Sequence, residues 1–313
     1  MTTREIATRE IRRDESGFTL LELLVTVGIM AAIAGTATVA LQDTTARASA
    51  AAHVLMMDEL NEGIMTYRAL PSNGNSYPNN FDSLLQDDDG TVDATGTVAY
   101  GQIGAAVSDG TDVGDLTVVA SPTGVAAVLG DIGITELRVV DVTLDPPDAG
   151  DCSDAQALIN DRGNAVVSGN IYLSPAANGC GYSHTLADGD PIMVWSGGNE
   201  RVLGSDALEP AINADGTFGT SPEGAKLLMA VGAGPASNLF DASVLGGLTS
   251  VPVYRHVAQD EYNRFFILFH VATADAAGAM VAIDQVNIAG VVDSAGDTKE
   301  EELGEWDGTR NTI

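Results

Sequence analysis

Glu22 is the residue whose setting most demands a chemical explanation. It stands near the start of an apolar stretch, FTLLELLVTVGIMAAIAGTATVAL, and twenty uncharged residues separate it from the next charge, Asp43. A carboxylate in or beside hydrocarbon needs a counter-charge or the positive end of a helix dipole to offset its desolvation. Two readings follow: a cationic partner supplied from outside the segment, or a helix-terminus residue close enough to the interface to reach headgroups. The first makes Glu22 a pairing residue and the second only a support of its own helix N-terminus; neither asks it to make or break bonds.

Other residue groups bear on chemistry more weakly. Asp87, Asp89 and Asp93 surround Gly90 in a loop of the kind that supplies the six to eight oxygens taken by Ca²⁺, although Val98 stands where an EF-hand would need its twelfth-position Glu. A second candidate Ca²⁺ loop is SGGNERVLGSD, residues 196–206; for both, the alternative is a solvated acidic loop. Cys152 and Cys180 are the only cysteines. In an exported domain they are expected to pair, a closure that stabilises by roughly 3 to 4 kcal/mol in the chain-entropy model; the alternative is two buried thiols. The histidines, His53, His184, His256 and His270, are scattered, with no H-E-x-x-H or paired C-x-x-C context to fix a transition metal. The sequence has no G-x-S-x-G elbow and no P-loop. An enzyme is not expected.

The charge balance narrows the partners. There are 44 acidic against 14 basic residues, a formal net charge of -30, in a chain of 313 residues. Such a surface repels nucleic acid and anionic membrane faces, so DNA and RNA are disfavoured partners. With 45% hydrophobic residues the chain can nonetheless bury a sizeable core.

The elements that must position Glu22 are legible. Residues 1–17, MTTREIATREIRRDESG, carry four arginines and four acids and form a polar leader. At Phe18 the sequence turns apolar for long enough to span a bilayer, over residues 18–42. No proline occurs before Pro71, so the helix is expected to run over 18–70, about 80 Å. Its second half is amphipathic, with Met57, Leu60, Ile64 and Tyr67 spaced three and four apart, as befits packing on a globular head.

The segment Gly17-Phe18-Thr19-Leu20-Leu21-Glu22-Leu23-Leu24-Val25 resembles the cleavage and methylation motif of type IV prepilins and type II secretion pseudopilins. The resemblance implies a cut between Gly17 and Phe18 by a prepilin peptidase, N-methylation of Phe18, and an assembly role for Glu22. The amine of an incoming Phe18 would be neutralised by Glu22 of a neighbouring copy. It implies an inner-membrane precursor held in lipid, an assembly platform, and a homo-oligomeric helical filament, extracellular or periplasm-spanning. Two departures stand out: Asp14, Glu15 and Ser16 intervene between the last leader arginines and Gly17, and the helix lacks the proline found in many family members. An ordinary signal peptide cut near 46–48 is the weaker alternative, since its apolar core would be unusually long and would contain Glu22.

The expected fold is α+β: a helical spine packed on a mainly antiparallel head, with room over residues 71–313 for an inserted second lobe. Residues 71–147 form the first part of the head and 148–313 the second part or second lobe, with Pro146-Pro147 as the boundary. Strands are predicted over 98–103, 116–120, 137–144, 165–173, 191–195, 226–231, 251–257 and 265–273, the last two as a hairpin. A helical turn is expected at 81–86, a short helix from Ser121 to about Gly133, and a loose acidic tail over 293–313. The functional expectation is a filament subunit. The alternative is a membrane-tethered or secreted acidic protein, loaded with Ca²⁺ in one version, that binds a surface or glycan.

Overall fold

The computed structural model describes residues 19–87, 100–101, 116–141, 181–213, 216–241, 243–254 and 264–307. The chain divides into two compact units, residues 1–49 and residues 50–313. Helix α1, Leu20–Ala69, contributes to both.

The end of α1 is written in its sequence. Leu70 is extended (φ -78°, ψ 131°), as the residue before a proline prefers, and Pro71 opens a single 3₁₀ turn closed by Gly74 in the left-handed region. Asn73 Nδ2 donates to the carbonyl of Tyr67 at 2.8 Å, satisfying one of the acceptors left by the last turn.

Residues 50–313 form an α+β unit. Its strands are β1 (Phe81–Asp87), β2 (Tyr100–Gly101), β3 (Leu116–Ala120), β4 (Glu136–Asp141), β5 (Gly181–Thr185), β6 (Pro191–Trp195), β7 (Lys226–Gly232), β8 (Phe266–Ala274) and β9 (Met280–Val292). Short helices α2 (Val125–Asp131), α3 (Asn199–Leu203) and α4 (Lys299–Asp307) complete it. A β7–β8–β9 meander is the longest-paired part. The free side of β7 is shared: Met229 bonds β6, which carries β3, while Gly232 bonds β1, which carries β4 and then β5. Among the described pairings only β1–β4 is parallel, so the sheet is mainly antiparallel, as expected.

Both faces of the central strands are covered, which is why β7 and β8 read as continuous apolar runs rather than as alternations. Leu227, Met229 and Val231 with Ile267, Phe269 and Val271 belong to one core cluster, together with Met57, Leu60, Ile64 and Tyr67 of α1. Leu228, Ala230, Phe266 and Leu268 turn the other way and pack with Leu84, Leu85, Met193 and Trp195. On α1 a close approach is made at Gly63, where a Cβ would come within 2.7 Å of the Leu248 side chain.

Three expectations are corrected. Residues 81–86 form a strand, not a helical turn. The spacing of Phe81, Leu84 and Leu85 imitates a helix, but its cause is an irregularity in the ladder between Asp82 and Gln86, with Leu84 at φ 64°. The hairpin is also different: Val251–Tyr254 is not strand, and Pro252 has no N–H to give a ladder. The carbonyls of Val251 and Pro252 accept instead from Arg264 Nη1, each at 3.1 Å. Strand β8 pairs with β9 through a turn in which Asp275 Oδ1 accepts from the N–H groups of Ala277 and Ala279 and Gly278 sits at φ 82°. The acidic tail, finally, contains α4. Thr298 and Glu301 form a capping box, the Thr298 N–H donating to Glu301 Oε2 at 2.9 Å and the Glu301 N–H to Thr298 Oγ1 at 3.4 Å.

The strands at 116–120 and 191–195 have the expected bounds, and β4, β7 and β8 lie within a few residues of theirs. Of the 98–103 run, Tyr100–Gly101 is described as β2. The run at 165–173 and the boundary at Pro146-Pro147 lie outside the described residues.

Candidate functional site

Thr19 is the first described residue, and it organises the start of α1. Its N–H and its Oγ1 both donate to Glu22 Oε2 at 3.0 Å, while the Glu22 N–H reaches back to Thr19 Oγ1 at 3.3 Å. This is a capping box: a T-x-x-E spacing satisfies two donors at the helix start and holds one carboxylate over the positive end of the dipole. Sequence reasoning singled out Glu22 and missed Thr19, although the spacing that announces the pair is in the sequence.

Beyond the cap, every residue from Leu20 to Thr38 is exposed. Leu20 is 83% exposed, Leu24 66% and Met30 70%, values reserved in most domains for charged side chains. Among the described residues Leu20–Thr38 is the helical stretch long and apolar enough to cross a membrane. Its polar side chains are few. The hydroxyl of Thr26 donates to Leu23 O at 2.9 Å, that of Thr36 to Ile33 O at 3.0 Å, and that of Thr38 to Ala34 O at 2.8 Å. Each threonine thereby hides its donor against its own helix, the arrangement an apolar medium requires.

The family model for the prokaryotic N-terminal methylation motif matches residues 12–38. The matched motif is the kind carried by type IV pilins and pseudopilins, and it supports a chain of that type. No curated protein and no solved structure matches it. The matched stretch covers the end of the polar leader, the Gly17-Phe18 junction, the Thr19–Glu22 cap and the exposed apolar stretch of α1 up to Thr38. It fits a precursor anchored in the inner membrane and processed by a prepilin peptidase. Gly17 and Phe18 themselves lie outside the described residues.

The remaining candidate residues are spread over residues 50–313. Asp87 closes β1, opposite Tyr100 of β2 and Asp141 of β4. Asp89, Asp93, Cys152 and Cys180 lie outside the described residues. In the loop 196–206 the acids Glu200 and Asp206 are exposed, and the carbonyls that a Ca²⁺ site would draw on face protein donors instead. Gly198 O accepts from Trp195 Nε1 at 3.0 Å, and Gly197 O from Arg201 Nη1 at 3.1 Å. Arg201 also grips Glu301 with two nitrogens, at 3.1 and 2.8 Å, so the cation engaged by this loop is a guanidinium. Of the described histidines, His184 Nε2 meets Asp190 at 2.8 Å and His270 Nε2 meets Thr273 Oγ1 at 2.9 Å, local strand contacts in both cases.

Proposed function

We propose that this chain is a structural subunit of a type IV pilus-like or pseudopilus filament, cut after Gly17, methylated at Phe18 and polymerised through the exposed half of α1. The observation that carries the reading is the coincidence of the matched motif with a helix whose large apolar side chains from Leu20 to Ile33 are exposed. Such a surface requires lipid before assembly and other copies of itself afterwards. The partners are then a prepilin peptidase, the bilayer, an inner-membrane assembly platform and further subunits. The mature product is an extracellular or periplasm-spanning filament in which Cys152 and Cys180 are joined.

Glu22 has a local role, as the acceptor of the Thr19 cap, and an intermolecular one, as counter-ion to the amine of a neighbouring Phe18. The two are separable. Glu22→Gln keeps shape and part of the cap while removing the charge, so membrane insertion and cleavage at Gly17 should persist and filaments should be lost. Mass analysis of the N-terminus, membrane blots, and electron microscopy of sheared material read the three outcomes. Normal filament numbers from a correctly processed Glu22→Gln protein would reduce Glu22 to a helix-terminus residue. A mature chain starting near Ser49, or an intact Met1 in assembled material, would sink the filament reading itself. A correctly processed wild-type chain that never forms polymers would leave the membrane-tethered binding protein.

A further inference from the structure

The contact between α1 and the end of β9 buries three titratable side chains together. His53 is 3% exposed, Asp293 0% and Glu302 2%, and one ligand-capable atom from each lies within 4.8 Å of the others. His53 Nδ1 is 3.0 Å from Glu302 Oε1. All three belong to the unit of residues 50–313. Histidine and glutamate are 249 positions apart in the chain, which is why the sequence, searched for closely spaced ligand motifs, did not disclose the group.

Asp293 has the setting that calls for a ligand. Its Oδ1 accepts from the N–H groups of Ala295 and Asp297, both at 2.9 Å, in the turn that leads into α4. Its Oδ2, equally buried, meets no donor among the described residues. A carboxylate oxygen removed from water without a donor needs a proton or a cation. Among the described residues, Lys299 Nζ meets both oxygens of Asp58 at 2.6 and 2.8 Å, and Arg201 grips Glu301.

We propose that His53, Asp293 and Glu302 form a binding site for one divalent transition-metal ion of the zinc class, clamping α4 and the end of β9 onto α1. One imidazole nitrogen with two carboxylate oxygens suits Zn²⁺ and its first-row neighbours, whereas Ca²⁺ takes six to eight oxygens and Mg²⁺ keeps most of its water. Tetrahedral ligands about 2.0–2.1 Å from zinc stand about 3.3 Å apart, against 3.0 Å between His53 Nδ1 and Glu302 Oε1 and no more than 4.8 Å between any two of the three ligand atoms. Orienting contacts are in place for two ligands: the paired N–H groups aim Asp293, and Tyr254 packs on the His53 ring with centroids 4.4 Å apart. The rival arrangement is a single proton shared between Asp293 and Glu302. It would keep the imidazole as a hydrogen-bond partner of Glu302 Oε1 at 3.0 Å, whereas a metal would ligate all three groups at once.

The experiment uses the full chain purified in detergent, stripped with chelator and dialysed, with Zn²⁺ as the probe. One Zn²⁺ per chain should be retained and should raise the thermal midpoint, with no competition from excess Ca²⁺ or Mg²⁺. Asp293→Asn and His53→Gln should each weaken retention by about 100-fold or more, a loss at least as large as second-shell changes cause. Lys299→Ala, which cuts the other tie between α4 and α1, should retain the metal. Wild type that binds Zn²⁺ no better than Asp293→Asn would overturn the site and leave the shared proton. Should the ligand variants misfold, Co²⁺ added to the wild-type chain decides: strong visible absorption at one equivalent supports the site, and the spectrum of hydrated Co²⁺ refutes it.

Discussion

Residues 20–38 and residues 50–69 are stretches of one helix built from the same residue types, yet their surfaces have opposite fates. In the first, leucine, valine, isoleucine and methionine side chains are exposed all round. In the second, Met57, Leu60, Ile64 and Tyr67 are buried at three- and four-residue steps, and Leu55 and Met65 are left outside on the other side. The difference is not one of helix propensity, because Ala, Leu, Met and Glu serve both. It lies in pattern: a stripe is met by cover from the same chain, and an all-round apolar surface can be met only from outside it.

The largest expected effect tests this division. Leu60→Ala should destabilise the 50–313 unit by about 2 to 5 kcal/mol, because the site is fully buried against strands that cannot collapse far into the space. Leu24→Ala, at an exposed leucine, should leave that unfolding midpoint within about 0.5 kcal/mol of wild type. Denaturant titration of the two variants in the same detergent compares them, and equal losses would erase the distinction between the halves. A smaller effect belongs to the cap. Thr19→Val removes the hydroxyl that both gives to and takes from Glu22, and should loosen the first turn by about 1 kcal/mol. Hydrogen exchange at residues 20–23 reads the fraying. Filament numbers should fall far less than in Glu22→Gln, and an equal fall would make capping the whole role of Glu22. The smallest effect lies on the outer edge of the second half, where Asp58 and Lys299 are half exposed. Lys299→Ala should cost less than about 1 kcal/mol in thermal unfolding, an effect weakened further by salt.

Legibility follows the same contrast. The motif at residues 17–25, the extent of α1 and the strands at 116–120 and 191–195 could be read because each depends on local chemistry: an abrupt polarity switch, a proline stop, short apolar runs between turn residues. What failed depends on distant partners. Strand β1 was disguised by the irregularity at Leu84, which imposes a helix-like spacing on a strand. Strand β9 was hidden because two register shifts against β8, and the polar residues Asp284, Gln285 and Asn287, break its alternation. Helix α4 could have been found, since T-K-E-E carries its capping box, but the density of acid there reads as a solvated tail. No local rule brings His53 to Asp293 and Glu302.

The back-bonded threonines of the exposed half bear on how such helices would move against one another. With the hydroxyls of Thr26, Thr36 and Thr38 turned onto their own carbonyls, Glu22 is the one polar side chain from Leu20 to Thr38 that lacks such a tie to the helix interior. A neighbour sliding along this surface would feel only shallow van der Waals corrugation, fractions of a kcal/mol per atom pair, with no hydrogen bonds to break and remake. In such a pairing residues 23–38 would behave as a lubricated rail and Glu22 as its single detent. In the filament proposed above, a bundle of such rails would stretch, twist and reseat under load by slipping between equivalent contacts, and would keep its register through one charge per subunit.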